Sequence, residues 1–134
     1  MSETREQLKS AFARECMLLR RYAWFARMAE LEGHDAAAQV FRELAEAVEA
    51  HADGTLDYLR MTGDPLTGGA VGPTEENLFA ALSAEQDASL RRYPEMARVA
   101  REEGRHQEAA WFDTLAAGKR GHLRRLKALL DEAP

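Results

Sequence analysis

Apolar residues recur along this chain at the three- and four-residue intervals that lay one face of a helix against a core. The first stripe runs Leu8, Ala11, Glu15, Leu18, Tyr22, Phe25 and Ala29. It opens at a capping box, Thr4-Arg5-Glu6-Gln7, and stops at Gly33. Glu15 is the charged member of that stripe, so it is expected to face inward. A second helix, capped by Asp35, carries Phe41, Leu44, Val48, His51 and Thr55 inward and ends near Arg60. The third begins at a Thr74 cap with Glu75 and Glu76 in its first turn, where the helix dipole favours acids, and ends at Gly104. Pro94 lies inside it and removes a backbone bond to Leu90, which predicts a kink or bulge. The fourth runs to about Leu130 with Phe112, Leu115, Lys119, His122 and Leu126 inward. Arg124, Arg125 and Lys127 near its end suit a helix C-terminus.

Between the second and third helices, residues 61–73 are punctuated by glycine and proline and form the one long connection. About a dozen extended residues span ~40 Å, close to the ~40 Å of a 27-residue helix. The segment is therefore expected either to run back along its own bundle or to hand the second helix pair to another protomer. No Gly-Lys-Ser/Thr follows it, so it is not a phosphate cradle.

The two halves repeat at an offset of 71: Tyr22 with Tyr93, Gly33 with Gly104, Phe41 with Phe112, Leu44 with Leu115, His51 with His122. A duplicated helical hairpin is the economical explanation. Two equivalent stations result, Val48-Glu49-Ala50-His51 and Lys119-Arg120-Gly121-His122. Paired Glu-x-x-His motifs on facing helices build metal centres in four-helix bundles, because the two ligands lie one turn apart on one face. Here both histidines are present, whereas Val48 and Lys119 stand in place of the glutamates. Glu49 cannot substitute for Val48, since one residue turns a helix by ~100°. The repeat slips once: Glu15 precedes Tyr22 by seven residues and Glu85 precedes Tyr93 by eight. A one-residue bulge in the third helix would return Glu85 to the inner face.

Composition narrows the class. Alanine supplies 25 residues and leucine 16, against 10 for valine, isoleucine and threonine together, and the chain is expected to be all-α. At 134 residues it is expected to form one domain, 1–134. A net charge of -5 offers no electrostatic footprint for nucleic acid. No apolar run spans a bilayer and no signal core opens the chain, so a soluble cytoplasmic protein is expected. The one cysteine, Cys16, excludes an internal disulfide and a tetra-cysteine metal module.

Taken together, these residues resemble the rubrerythrin branch of the ferritin-like di-iron superfamily. The resemblance is carried by Ala11-Phe12-Ala13-Arg14-Glu15, Arg21-Tyr22-Ala23-Trp24-Phe25-Ala26 and Ala29-Glu30-Leu31-Glu32-Gly33 in the first helix. Phe41-Arg42-Glu43-Leu44-Ala45-Glu46 before His51-Ala52, Glu76-Asn77-Leu78 and Tyr93-Pro94-Glu95-Met96-Ala97 add to it. It implies a ferritin-like four-helix bundle with one long connection between its second and third helices. It also implies two irons held by a first-helix glutamate, two Glu-x-x-His pairs and two third-helix glutamates, with peroxide reduced at the irons and electrons fed by a rubredoxin module. Position by position, Glu15, His51, Glu85 and His122 match ligands of that set, and Tyr22 and Tyr93 match aromatic positions beside it. Val48, Ala88 and Lys119 stand where the other three carboxylates belong, so the site is degenerate, and no rubredoxin module is expected.

Lys119 decides between the readings that remain. A lysine on an apolar stripe is costly unless a carboxylate partners it. In the leading reading Lys119 replaces the metal charge, bridging Glu15 and Glu85 while His51 and His122 complete the network, and the protein is a structural or partner-binding bundle with no favoured cofactor. Alternatively Lys119 snorkels outward along its stem. The competing function is a redox metalloprotein acting on peroxide or oxygen, with a single Fe, Zn or Mn on Glu15, His51, Glu85 and His122 and a separate electron donor. A third reading places a small-molecule site between Val48 and Ala88. Tyr22 and Tyr93 are expected to pack as core aromatics, Trp24 and Trp111 to serve packing or a dimer face, and His34 and His106 to face solvent. A homodimer, with or without exchange of helices between protomers, is the expected assembly, with no nucleic acid or membrane as partner.

Overall fold

The computed structural model describes residues 2–132, and among them there is no β-strand. The chain divides into two compact units, Met1–Pro65 and Leu66–Pro134. Each is a helical hairpin. The first pairs α1 (Glu3–Leu31) with α2 (Asp35–Leu59). The second pairs α5 (His106–Glu132) with a helix in three consecutive pieces: α3 (Thr74–Asp87), a π-helical segment (Ala88–Arg92) and α4 (Tyr93–Glu102).

The 71-residue repeat is visible in the details of each hairpin. Gly33 and Gly104 both adopt positive φ, +81° and +74°. In each turn a backbone N–H reaches five residues back at 2.8 Å, from His34 to the Ala29 carbonyl and from Arg105 to that of Ala100. This is the glycine-terminated helix stop, in which the left-handed residue lets the chain turn back and satisfy an otherwise open carbonyl. Tyr22 stacks on Phe41 with centroids 6.4 Å apart, and Tyr93 on Phe112 at 6.5 Å. An ion pair joins the helices of each hairpin at equivalent positions with the charges exchanged: Arg42 with Glu30 in the first, Arg101 with Asp113 in the second.

The predicted bulge lies between Glu85 and Tyr93. Tyr93 donates its N–H to the Ala88 carbonyl, five residues back instead of four. Pro94 has no N–H to offer Leu90, so widening the turn just before it costs little in hydrogen bonding. The extra residue absorbs the slip between the repeats.

The helix starts differ from the caps expected. Ser2, two residues ahead of Thr4, is extended and accepts the Arg5 N–H at 3.1 Å. Asp35 and Thr74 are the first helical residues of α2 and α3, preceded by His34 and Pro73, neither of which makes a side-chain cap. Asp35 faces the open N–H groups of the first turn as a charge. At α3 the junction is closed by Asn77, which accepts from the Gly72 N–H at 2.7 Å and donates to the Gly72 carbonyl at 3.0 Å.

Apart from Ala29 and Val48, tightest burial falls beside the large-residue stripes. In the first hairpin it is reached at Ala26, Ala29, Ala38, Val48, Ala52 and Leu59, and in the second at Ser89, Ala97, Ala100, Ala109, Ala116 and Leu123. Small side chains let two helix backbones approach closely, so the seam of an antiparallel pair settles on alanines. Tyr22, Phe25 and Phe41 along the stripe are half-buried, and Trp24 and Trp111 are more than half exposed. His34 and His106 are exposed, as expected of residues at the turns.

Candidate functional site

Each hairpin brings one carboxylate and one imidazole of the repeat together. In the first, α1 supplies Glu15 and α2 supplies His51, with Nδ1 of the histidine 3.7 Å from Oε2 of the glutamate. That distance is too long for a hydrogen bond. The Glu15 side chain is 24% exposed against 63% for His51, and Glu15 Oε2 is buried without a hydrogen-bond partner. A carboxylate oxygen in that condition is costly and calls for a cation or a proton donor. Val48, one turn before His51, is buried and apolar.

The second hairpin is fully paired. Glu85, near the end of α3, presents both oxygens to α5: Lys119 Nζ lies 3.2 Å from Oε1, and His122 Nδ1 lies 3.1 Å from Oε2. The helical spacing of Lys119 and His122 puts both on one face of α5, and the π segment sets the register of Glu85. The carboxylate is the most enclosed of the three, its side chain 19% exposed against 29% for Lys119 and 56% for His122. Lys119 thus keeps its head on a carboxylate with its stem half-buried. Of the two carboxylates proposed as its partners, Glu85 shares its hairpin, while Glu15 belongs to the other unit and faces His51.

Among the described residues no three histidine, cysteine, aspartate or glutamate side chains form a group able to hold a metal. Ala88 offers no donor, and Val48 and Lys119 offer none to a cation while the lysine is protonated. Tyr22 and Tyr93 make ring contacts with Phe41 and Phe112.

Three residues the sequence did not single out line one cavity with Glu85. Asp87 accepts from Arg91 Nε at 2.7 Å and from Arg92 Nε at 2.5 Å. These hydrogen bonds, Arg91 first and Arg92 second, hold the Asp87 carboxyl below the ordinary aspartate range. The available signal was the spacing: partners four and five residues away can share one carboxylate where a helix is widened by one residue.

The Rubrerythrin family model matches residues 6–130 of the chain. The rubrerythrin of Porphyromonas gingivalis is 38% identical over 133 residues, a match covering 96% of this chain and 66% of the relative. Rubrerythrin-1 of Clostridium acetobutylicum is 32% identical over 137 residues, covering 96% and 70%. The rubrerythrin of Nitratidesulfovibrio vulgaris is 30% identical over 129 residues, covering 92% and 67%. The chain spans about two thirds of the length of these relatives.

Proposed function

The chain belongs to the rubrerythrin family, and from that premise we propose that it is a member without a di-iron centre, a structural or partner-binding protein that carries an internal cation in place of the metal. One observation carries this reading: both oxygens of Glu85 are engaged, by Lys119 on one side and His122 on the other. The donor set does not fit two irons. Adjacent divalent cations repel and need bridging carboxylates between them, and Val48, Ala88 and Lys119 supply none of these bridges. The lysine does more than omit a ligand, since it brings a positive charge to the carboxylate an iron would use.

A second copy of the chain is the partner this reading favours. Large apolar side chains stand exposed on both hairpins, among them Met17, Trp24, Val40, Leu90, Met96 and Trp111. Exposed apolar side chains of that size suit burial against another helical surface.

The orphaned Glu15 oxygen favours one alternative, a single Fe, Zn or Mn ion with Glu15 and His51 among its ligands. Restoring the missing carboxylates separates the two readings. The triple variant Val48→Glu, Ala88→Glu, Lys119→Glu is expected to take up iron that the unaltered protein does not, as measured by metal content after incubation with ferrous iron and desalting. Equal iron in both proteins, or none in a triple variant that remains folded, contradicts the proposal.

A further inference from the structure

The second hairpin contains a cavity of about 440 Å³ that extends from the station at Glu85, Ala88 and Lys119 to Arg91 and Arg92. The volume lies within the range of small-molecule sites. Its charged lining consists of Arg91, Arg92 and Lys119 against Glu85 and Asp87, three cations to two carboxylates, with Ala84 and Ala88 as apolar wall. The carboxylates are already satisfied. Asp87 takes one Nε from each arginine, and Glu85 takes Lys119 and His122. Each guanidinium therefore bonds Asp87 through Nε, which leaves its two terminal nitrogens to bond elsewhere, and the ammonium of Lys119 has three donors with one directed at Glu85.

We propose that this cavity binds a small oxyanion, a carboxylate or a phosphate, held by the terminal nitrogens of Arg91 and Arg92 and by Lys119. The net positive charge selects an anion, and two planar guanidinium groups on adjacent residues match the paired oxygens of either group. Asp87 positions both arginines. Ala88 leaves open the space that a longer side chain at that position would enter. The π segment helps the arrangement form, because a widened turn brings Arg92 back toward Asp87, whereas in a regular helix a residue five positions on is rotated by about 140°. The inference rests on the reading above in one respect: Lys119 has to remain on Glu85, since a metal ion at that carboxylate would displace it.

Titration of the full chain with inorganic phosphate and, separately, with malonate, followed by calorimetry at low ionic strength, tests the site. One saturable equivalent is expected with at least one of the two probes, and the more tightly bound identifies the preferred oxyanion. Arg91→Gln and Arg92→Gln should each weaken binding about tenfold, the effect of losing a hydrogen bond between charged groups. Arg60→Gln removes the same charge from the other hairpin and should leave binding unchanged. Absence of saturable binding for both probes, or equal weakening by all three variants, overturns the proposal. Metal content measured on the same sample keeps the two ideas apart. Failure to bind in metal-free protein removes the oxyanion site alone, whereas failure in protein that holds a metal removes the lysine reading beneath it.

Discussion

At the level of single residues, the chemistry of the second hairpin turns on Glu85. A half-buried carboxylate with one oxygen on an ammonium and the other on an imidazole is satisfied without any exogenous ion. The pair is partly screened by solvent, since the Lys119 side chain is 29% exposed, so its net contribution is modest. Lys119→Met is expected to destabilise the protein by about 1 kcal/mol in denaturant unfolding, and Glu85→Gln to add little in that background. Additive losses in the double-mutant cycle would mean that the two groups are neighbours without being coupled. Asp87 makes a pH prediction. Its folded pKa is depressed by the bonds from Arg91 and then Arg92, so the stabilisation is present above the unfolded value and is lost as pH falls through the folded one. Carboxyl resonances followed by NMR should show Asp87 titrating below an ordinary aspartate, and the double variant Arg91→Gln, Arg92→Gln should move it back up. An unchanged midpoint in that variant would assign the depression to something else.

At the level of elements, each hairpin rests on a glycine stop and an alanine seam. Gly33 and Gly104 have positive φ, and a Cβ built on either meets nothing within 4 Å. Replacing either with alanine is therefore expected to cost about 1 kcal/mol through backbone conformation alone, equally in both repeats. A cost in one and not the other, measured by thermal unfolding, would separate turns that the repeat makes equivalent. The stops and the helix order could be read from the sequence because both depend on local pattern. So could the π segment, since a register of eight where its twin has seven leaves one residue to be absorbed, and Pro94 marks where. The caps were less legible: Ser2, Asp35 and Thr74 are all residue types that cap, and only the backbone decides which one sits outside the helix. The seam was hidden for a different reason. Stripes are read from large apolar residues, while the closest contact between helices selects small ones, so Ala26, Ala97, Ala109 and Ala116 carry the burial that Phe25 and its neighbours suggested.

For the whole molecule, the helical fold of the family is kept, and under the proposal above Lys119 stands where a metal ligand would be. Membership of the rubrerythrin family follows from a match over residues 6–130, and no helix among the described residues is long and apolar enough to cross a membrane. What the family resemblance supplied was the identity of the stations; that Asp87, Arg91 and Arg92 gather beside one of them depends on side-chain geometry no motif encodes. If a second copy is the partner, the exposed apolar residues of both hairpins should be covered in a dimer, and sedimentation should give twice the 15.0 kDa chain mass. A stable species of 15.0 kDa at micromolar concentration would contradict that assembly. The central claim, that Lys119 stands in for the metal, is tested most directly by metal content per chain after incubation with excess ferrous iron or zinc and removal of the unbound ion. The lysine account predicts no bound metal in the unaltered protein, while one equivalent that is lost in His51→Ala would contradict it.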